Sequence, residues 1–123
     1  MMESILRSIR KMIGPDETYT HYDTDLIIHI NSVLAVLTQL GVGPSEGFFI
    51  QDESATWNDF LGNDPKLEMV KSYVYMKVKL AFDPPSSSAV IDSMNRSISE
   101  FEWRTNMAAE EKKQKREEEI QNG

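Results

Sequence analysis

The sequence predicts a mostly α-helical fold: a small helical bundle around a central helix, with a short β-hairpin or extended loop. Apolar residues recur at helical spacing in several segments, and glycine and proline residues separate these segments. The segment from Asn63 to Pro85 is apolar around most of its predicted circumference. Such a helix must be covered on several sides, so the other helices should surround it.

Length and composition favour one globular domain. The chain has 123 residues, which is enough for one hydrophobic core and too few for two. It contains no cysteine, which excludes disulfides and thiolate chemistry. No run of about 18 apolar residues is present, so we expect no membrane span. The N-terminal sequence lacks the apolar block of a signal peptide, and we expect a cytoplasmic origin.

The charge of the chain is unevenly distributed. The net charge is −7, and the span from Met12 to Pro65 has nine acidic residues and no lysine or arginine. A nucleic-acid-binding surface needs a basic stripe that displaces counterions from the phosphates. Direct recognition of DNA is therefore disfavoured.

The first predicted helix runs from Ile5 to Ile13, where apolar residues recur at helical spacing. Gly14 and Pro15 should end this helix. The acidic, aromatic loop at 16–23 should be solvated and lead into the second helix.

The second predicted helix begins after Thr24, which is the expected N-cap, and ends at Gly41, which suits the left-handed residue after a helix end. Val42 is placed for the hydrophobic contact that accompanies such an end. Ile28 and Ala35 lie on the polar side of this helix. They weakly indicate a partner surface, since isolated apolar residues are also common on protein surfaces.

The segment at 48–57 is expected to form a small β-hairpin or an extended loop. A lone hairpin is only marginally stable in water, so its aromatic residues should pack on the helices or on a neighbouring subunit. A single helical turn should follow at 58–62.

The central helix should begin with Asp64 as its N-cap and Pro65 at its first helical position. The segment Asp83-Pro84-Pro85 should end it, because proline cannot continue a helix. Val74 and Val78 are expected to be fully buried.

Ser87 or Ser88 should cap the last helix. Trp103 projects from the side opposite its apolar stripe, and an exposed tryptophan of this kind is typical of protein interfaces. A tryptophan covered by another part of the same chain is the alternative. The apolar stripe comprises Val90, Ile91, Met94, Ile98 and Phe101, with Ala108 continuing it.

The chain should divide into a helical domain at 1–109 and a charged tail at 110–123. Ile120 is the only large apolar residue of the tail. With almost nothing to bury, the tail should be disordered in the free chain, or helical only when it is docked on a partner.

Catalytic and cofactor motifs are absent from the sequence. There is no glycine-rich phosphate loop, nucleophile elbow or paired-histidine metal motif. His21, Asp23 and Asp25 are close in sequence, but a metal site there is disfavoured because no second ligand cluster exists. We therefore predict no enzyme activity, no cofactor and no metal.

Four motifs in order resemble the phage head-tail connector proteins, also called head completion or adaptor proteins. The resemblance covers roughly Met2 to Ala108. The motifs are a long helix with a GxGP end, a W-x-D-F-L-G turn, a central helix that ends in a DPP segment, and a final helix. In this chain they read DTDLIIHINSVLAVLTQLGVGP, ATWNDFLGND, AFDPPSSS and FEWRTN.

The resemblance implies a structural protein of the virion, made in the host cytoplasm. Such proteins form a ring of about a dozen copies beneath the portal, extend the DNA channel, and present a surface to the stopper or tail completion protein. DNA passes through the channel without specific binding, and the family brings no enzyme activity or cofactor.

Two sets of residues are candidates for these contacts. The family's rings bind the portal through the C-terminal helix, which here would use Trp103, Arg104, Lys112, Lys113, Lys115 and Arg116. A subunit interface or a loop that borders the lumen would use Ile28, Ala35, Phe48, Phe49, Asp52, Glu53 and Trp57.

Two other classes of protein stay open. A small helix–turn–helix transcription regulator could place its turn at Gly41–Pro44, although the shortage of positive charge disfavours it. An enzyme subunit or inhibitor whose partner carries the activity is the other alternative.

Binding to random duplex DNA separates a regulator from a connector. We expect almost no salt-dependent binding, because half of the chain lacks the cations that displace counterions from phosphates. Fluorescence anisotropy at several salt concentrations measures this dependence. A steep decrease in affinity with salt would favour the regulator.

Overall fold

The computed structural model describes residues 3–14, 16 and 18–122. The described residues confirm the mostly α-helical fold. They form five α-helices: α1 (Ile5–Ile13), α2 (Asp23–Gln39), α3 (Trp57–Leu61), α4 (Leu67–Phe82) and α5 (Ser88–Asn122). Gly14 ends α1 with its N–H bonded to the carbonyl of Arg10, whereas Pro15 and Glu17 lie outside the described residues.

The central position predicted for α4 is observed. This helix packs against α1, α2 and α5. Val74 and Val78 are fully buried, as the sequence predicted, together with Val70 and Tyr73. Met69 is exposed near the start of α4, so the cover is incomplete at that end.

Two helices begin at positions other than those predicted. The first residue of α4 is Leu67, because Asp64 accepts hydrogen bonds from the backbone N–H groups of Lys66 and Leu67 in a turn that precedes the helix. The first residue of α2 is Asp23, so Thr24 is inside the helix and does not cap it.

The end of α2 has the predicted Schellman geometry. Gly41 has a φ of 84°, and its N–H bonds to the carbonyl of Thr38 at 3.0 Å. The N–H of Val42 bonds to the carbonyl of Leu37 at 2.8 Å, and the Val42 side chain is buried. Gly43 then passes so close to the Phe60 ring that a Cβ atom would lie 2.3 Å from it. A side chain at this position would displace the ring.

The predicted β-hairpin at 48–57 is not formed within the described part of the chain. The end of this segment pairs instead with the start of α1. The N–H of Ile5 donates to the carbonyl of Ala55, and the N–H of Trp57 donates to the carbonyl of Glu3, both at 3.0 Å. The backbone at Ala55 and Trp57 therefore bonds to Glu3 and Ile5 instead of to a second strand of a hairpin.

Trp57 explains why the segment turns toward α1. Only 2% of this residue is exposed, and its indole N–H donates to the hydroxyl of Ser8 at 2.8 Å. Burial of a tryptophan with a satisfied N–H contributes strongly to a core. Trp57, predicted to belong to a subunit interface or lumen loop, therefore lies in the core of its own subunit.

The apolar stripe predicted for α5 is only partly buried. Ile98 and Phe101 are in the core, Ile91 and Met94 are half-buried, and Val90 is exposed. The 35 residues of this helix span about 52 Å. The C-terminal part of α5 therefore extends the helix well beyond its buried contacts.

We predict that Val74→Asp unfolds the domain, because a carboxylate would be placed without a partner among the fully buried side chains around α4. The expected loss in the free energy of unfolding is about 4 kcal/mol or more. Chemical denaturation followed by circular dichroism measures it. Ser72→Asp is the matched control, because Ser72 is exposed on the same helix. Equal stability of the two variants would contradict the central position of α4.

Candidate docking surfaces of the helical bundle

The α5 residues predicted to bind the portal lie on two different faces. Trp103 is 65% exposed, and Met107, one turn further along, is also exposed. Arg104 flanks Trp103 and forms an ion pair with Glu100. Helical geometry places Lys115 on the same flank as Arg104. We call Trp103, Arg104, Met107 and Lys115 the outer face of α5.

The other predicted residues border a groove between the end of α2 and α5, which we call the α2–α5 groove. Its apolar residues are Leu40, Val42, Ala108, Ala109 and Ile120. Its basic residues are Lys66, Lys112, Lys113 and Arg116, and Glu117 also lines it. Because the groove faces the bundle and Trp103 faces away from it, the six predicted residues do not form one surface.

An anchor on α4 fixes the direction of α5. The hydroxyl of Tyr73 donates to the carboxylate of Glu102 at 2.6 Å, and its ring stacks on Phe101 at a centroid distance of 4.5 Å. Burial raises the pKa of Tyr73, and the neighbouring Glu102 raises it further, so the phenol stays a neutral donor. Lys77 lies 4.0 Å from the same carboxylate. The helix is therefore held in place through Glu102, immediately before the outer face.

Arg10 fastens the segment at 48–57 to the helices. Only 3% of this residue is exposed. Its guanidinium donates two hydrogen bonds to the carboxylate of Asp23, at 2.8 and 2.9 Å, and a third to Glu53 at 2.8 Å. A guanidinium is well suited to such a bidentate pair. Glu53, predicted to belong to a subunit interface or lumen loop, is therefore bound to Arg10 of α1.

The ion pair between Arg10 and Asp23 involves one residue of the disfavoured metal site at His21, Asp23 and Asp25. The Asp23 carboxylate is bound to Arg10, so it contacts a cation of the chain itself. Across residues 3–14, 16 and 18–122, no group of three or more potential ligands has a geometry that could hold a metal ion.

A second fastening holds the middle of the segment at 48–57. The side-chain amide of Asn31 donates to the carbonyl of Ile50 at 2.9 Å and accepts from its N–H at 2.7 Å. Ile50 is buried, whereas the adjacent Phe49 is 66% exposed. Phe48 packs on the ring of Phe60 at 5.3 Å. We call the two hydrogen bonds between Asn31 and Ile50 the clasp. Because the clasp fixes the backbone at Ile50, the adjacent Phe49 side chain points outward.

Exposed apolar residues of α2 lie around this clasp. Ile28 is 59% exposed and Ala35 is exposed, one turn on either side of Asn31. Asp52 is exposed nearby in the sequence, and hydrogen bonds from the hydroxyl and backbone N–H of Ser54 lower the pKa of its carboxyl. Asp52 therefore stays ionised. We call Ile28, Ala35, Phe49 and Asp52 the loop face.

The sequence analysis did not predict the contacts of Arg10 and Asn31 with the segment at 48–57, or an aromatic cluster around Phe82. The described residues of the predicted solvated loop are exposed from 16 to 22. Within it, the ring centroid of Tyr22 also lies 5.3 Å from that of Phe82 and 4.8 Å from that of His21. His29 also lies 6.1 Å from Phe82. The useful signal was the repeated aromatic residues of the loop, whose partner on α4 could not be identified without the fold.

The helical bundle therefore presents two exposed aromatic side chains, Phe49 and Trp103, next to residues that are fixed to the core. The sequence model for phage connector proteins matches residues 5–112, and the chain belongs to this family. The family is structural, and membership implies association with other phage head and tail proteins in the virion. No curated protein and no solved structure matched the chain.

Family membership favours the connector interpretation over the transcription regulator. The match ends at Lys112, within the charged tail.

In the described portion of the chain, none of the helices has the length and apolar character needed to cross a membrane.

We predict that Asn31→Ala releases the segment at 48–50 while the helices stay folded. The substitution removes both hydrogen bonds to Ile50 and should accelerate amide exchange there by about tenfold or more. Hydrogen exchange with mass spectrometry measures this. Ser32→Ala is the control, since the hydroxyl of Ser32 bonds within α2 to Ile28. Unchanged exchange at Ile50 would show that the clasp does not hold the segment.

Proposed function

We propose that the chain is the structural adaptor of a tailed phage, forming a ring between the portal and the tail or stopper proteins and extending the DNA channel. The observation that carries the proposal is Trp103, which is largely exposed on a helix anchored to the core, in a member of the connector family. A large exposed aromatic residue on a rigid support is typical of an interface anchor.

The outer face of α5 is the proposed portal-docking surface. Trp103 and Met107 form an apolar pair one turn apart, and their burial would supply the affinity. Arg104 and Lys115 beside them would orient the helix through ionic contacts. Lys112, Lys113 and Arg116 line the opposite groove, so we do not assign them to this surface.

The tail has a role in the same proposal. Its side chains from Glu110 to Gln121 are exposed, so few contacts within the chain favour its helical form. Docking on the portal would supply those contacts. We therefore propose a domain at 1–109 that carries the fold, and a tail at 110–123 that becomes fully ordered when it binds.

The acidic half of the chain suits a channel wall. A ring of about a dozen copies, each with a net charge of −7, is strongly negative. We place the loop face at the subunit interface, and the acidic span from Met12 to Pro65 along the border of the lumen. Negative charge there would keep passing DNA from adhering to the wall. The opposite end of the ring would receive the stopper or tail completion protein.

We predict that Trp103→Ala weakens portal binding by about 30-fold, which corresponds to a loss of about 2 kcal/mol at an interface anchor. The variant should keep its thermal stability, because Trp103 is exposed. Biolayer interferometry with immobilised portal and a thermal melt measure the two quantities. Combining Trp103→Ala with truncation after Ala108 should abolish binding and leave heads that cannot take tails.

Val90→Ala is the matched control, since Val90 is also an exposed apolar residue of α5, in its first turn. It should bind the portal like the unaltered chain. Unaltered portal affinity of the truncated Trp103→Ala variant would overturn the proposed docking surface.

A further inference from the structure

The α2–α5 groove has a chemical character that portal docking by the outer face does not use. We propose that it receives the Phe49 loop, residues 46–52, of a second copy of this chain. The inference rests on the proposed ring and supplies its subunit contact.

The groove combines an apolar floor with a basic rim. Leu40, Val42, Ala108 and Ala109 form the floor. Ile120 is 76% exposed at the far end of the groove, and so offers apolar surface to an incoming group. The rim holds four cations, from Lys66, Lys112, Lys113 and Arg116, against one carboxylate, from Glu117. Such a groove fits an apolar side chain flanked by negative charges.

The Phe49 loop has the complementary character. Phe49 points outward, because Ile50 is clasped by Asn31. Glu46 and Asp52 are exposed on either side of it in the sequence, and the loop contains no lysine or arginine. Glu53 is bound to Arg10, so Glu46 and Asp52 are the carboxylates that the loop offers to a partner.

The Phe49 loop does not line the groove of its own chain. It is held by Asn31 of α2 at Ile50, and the residue that follows it, Glu53, is bound to Arg10 of α1. The groove belongs to the α5 side, where Tyr73 bonds to Glu102. One chain can therefore give its loop to one neighbour and its groove to another. A contact between two different surfaces propagates and generates rings or open filaments.

Zero-length carbodiimide crosslinking tests this contact directly. The reagent joins a carboxylate to an amine only where the two touch, and the loop has carboxylates while the groove has lysines. Unlabelled and ¹⁵N-labelled chains are mixed, crosslinked in concentrated solution and on the portal, and mapped by mass spectrometry. We expect mixed-label crosslinks from Glu46 or Asp52 to Lys112 or Lys113. Their absence in both settings would overturn the inference.

Charge reversal supplies the matched comparison. Lys113→Glu with Arg116→Glu reverses the groove, and Lys11→Glu with Arg96→Glu reverses exposed cations outside it by the same total charge. The groove variant should lose the crosslinks to Lys112 and weaken self-association by about tenfold or more in sedimentation velocity. The control variant should keep both. Adding Glu46→Lys and Asp52→Lys to the groove variant should restore association.

The outcomes separate this inference from the proposed function. If the groove variant loses portal binding but keeps its crosslinks between copies, the portal occupies the groove and the inference is wrong. If crosslinks between copies form but the unaltered chain does not bind the portal, the subunit contact stands and the proposed place of the ring fails.

Discussion

The apolar surface of α4 must be covered on three sides, and the other helices are arranged by this constraint. Val70, Tyr73, Val74 and Val78 are fully buried by α1, α2 and α5. A small domain buries a modest fraction of its surface, so one helix with several covered sides is an effective way to build a core. The sides of α2 and α5 that face away from α4 remain available for partners.

Polar contacts then determine how the connecting segment lies on this core. Arg10, Asn31 and Ser8 each hold a different part of the chain between Ile50 and Trp57. Removing one such partner would leave buried polar groups unsatisfied, which is more costly than the bond is favourable. The segment is therefore fixed although it has almost no regular structure, and Phe49 is exposed on a backbone that does not have to be ordered on binding.

Local patterns predicted the helices well, because helix ends and apolar periodicity are properties of neighbouring residues. The Schellman end at Gly41 and the burial of Val74 were accessible in this way. The direction of the segment at 48–57 was not, since it depends on Trp57 finding Ser8, which is 49 positions away. The faces of the distal part of α5 were missed for another reason. Apolar residues do not recur at helical spacing in that part of the sequence. Only the α2–α5 groove, where Gly41 approaches Ala109, shows which side of the helix faces the bundle.

The length of α5 is the feature that the core alone does not explain. Phe101 is the last buried residue of the helix among those described, and the helix continues to Asn122. Ion pairs along such a helix stabilise it by only a few tenths of a kcal/mol each. A domain that needed α5 only to cover α4 could end near Ala108. The longer helix instead carries an apolar outer face on one side and a basic groove on the other. In the proposed ring, this additional length would offer one surface to a neighbouring subunit and a chemically different one to the portal.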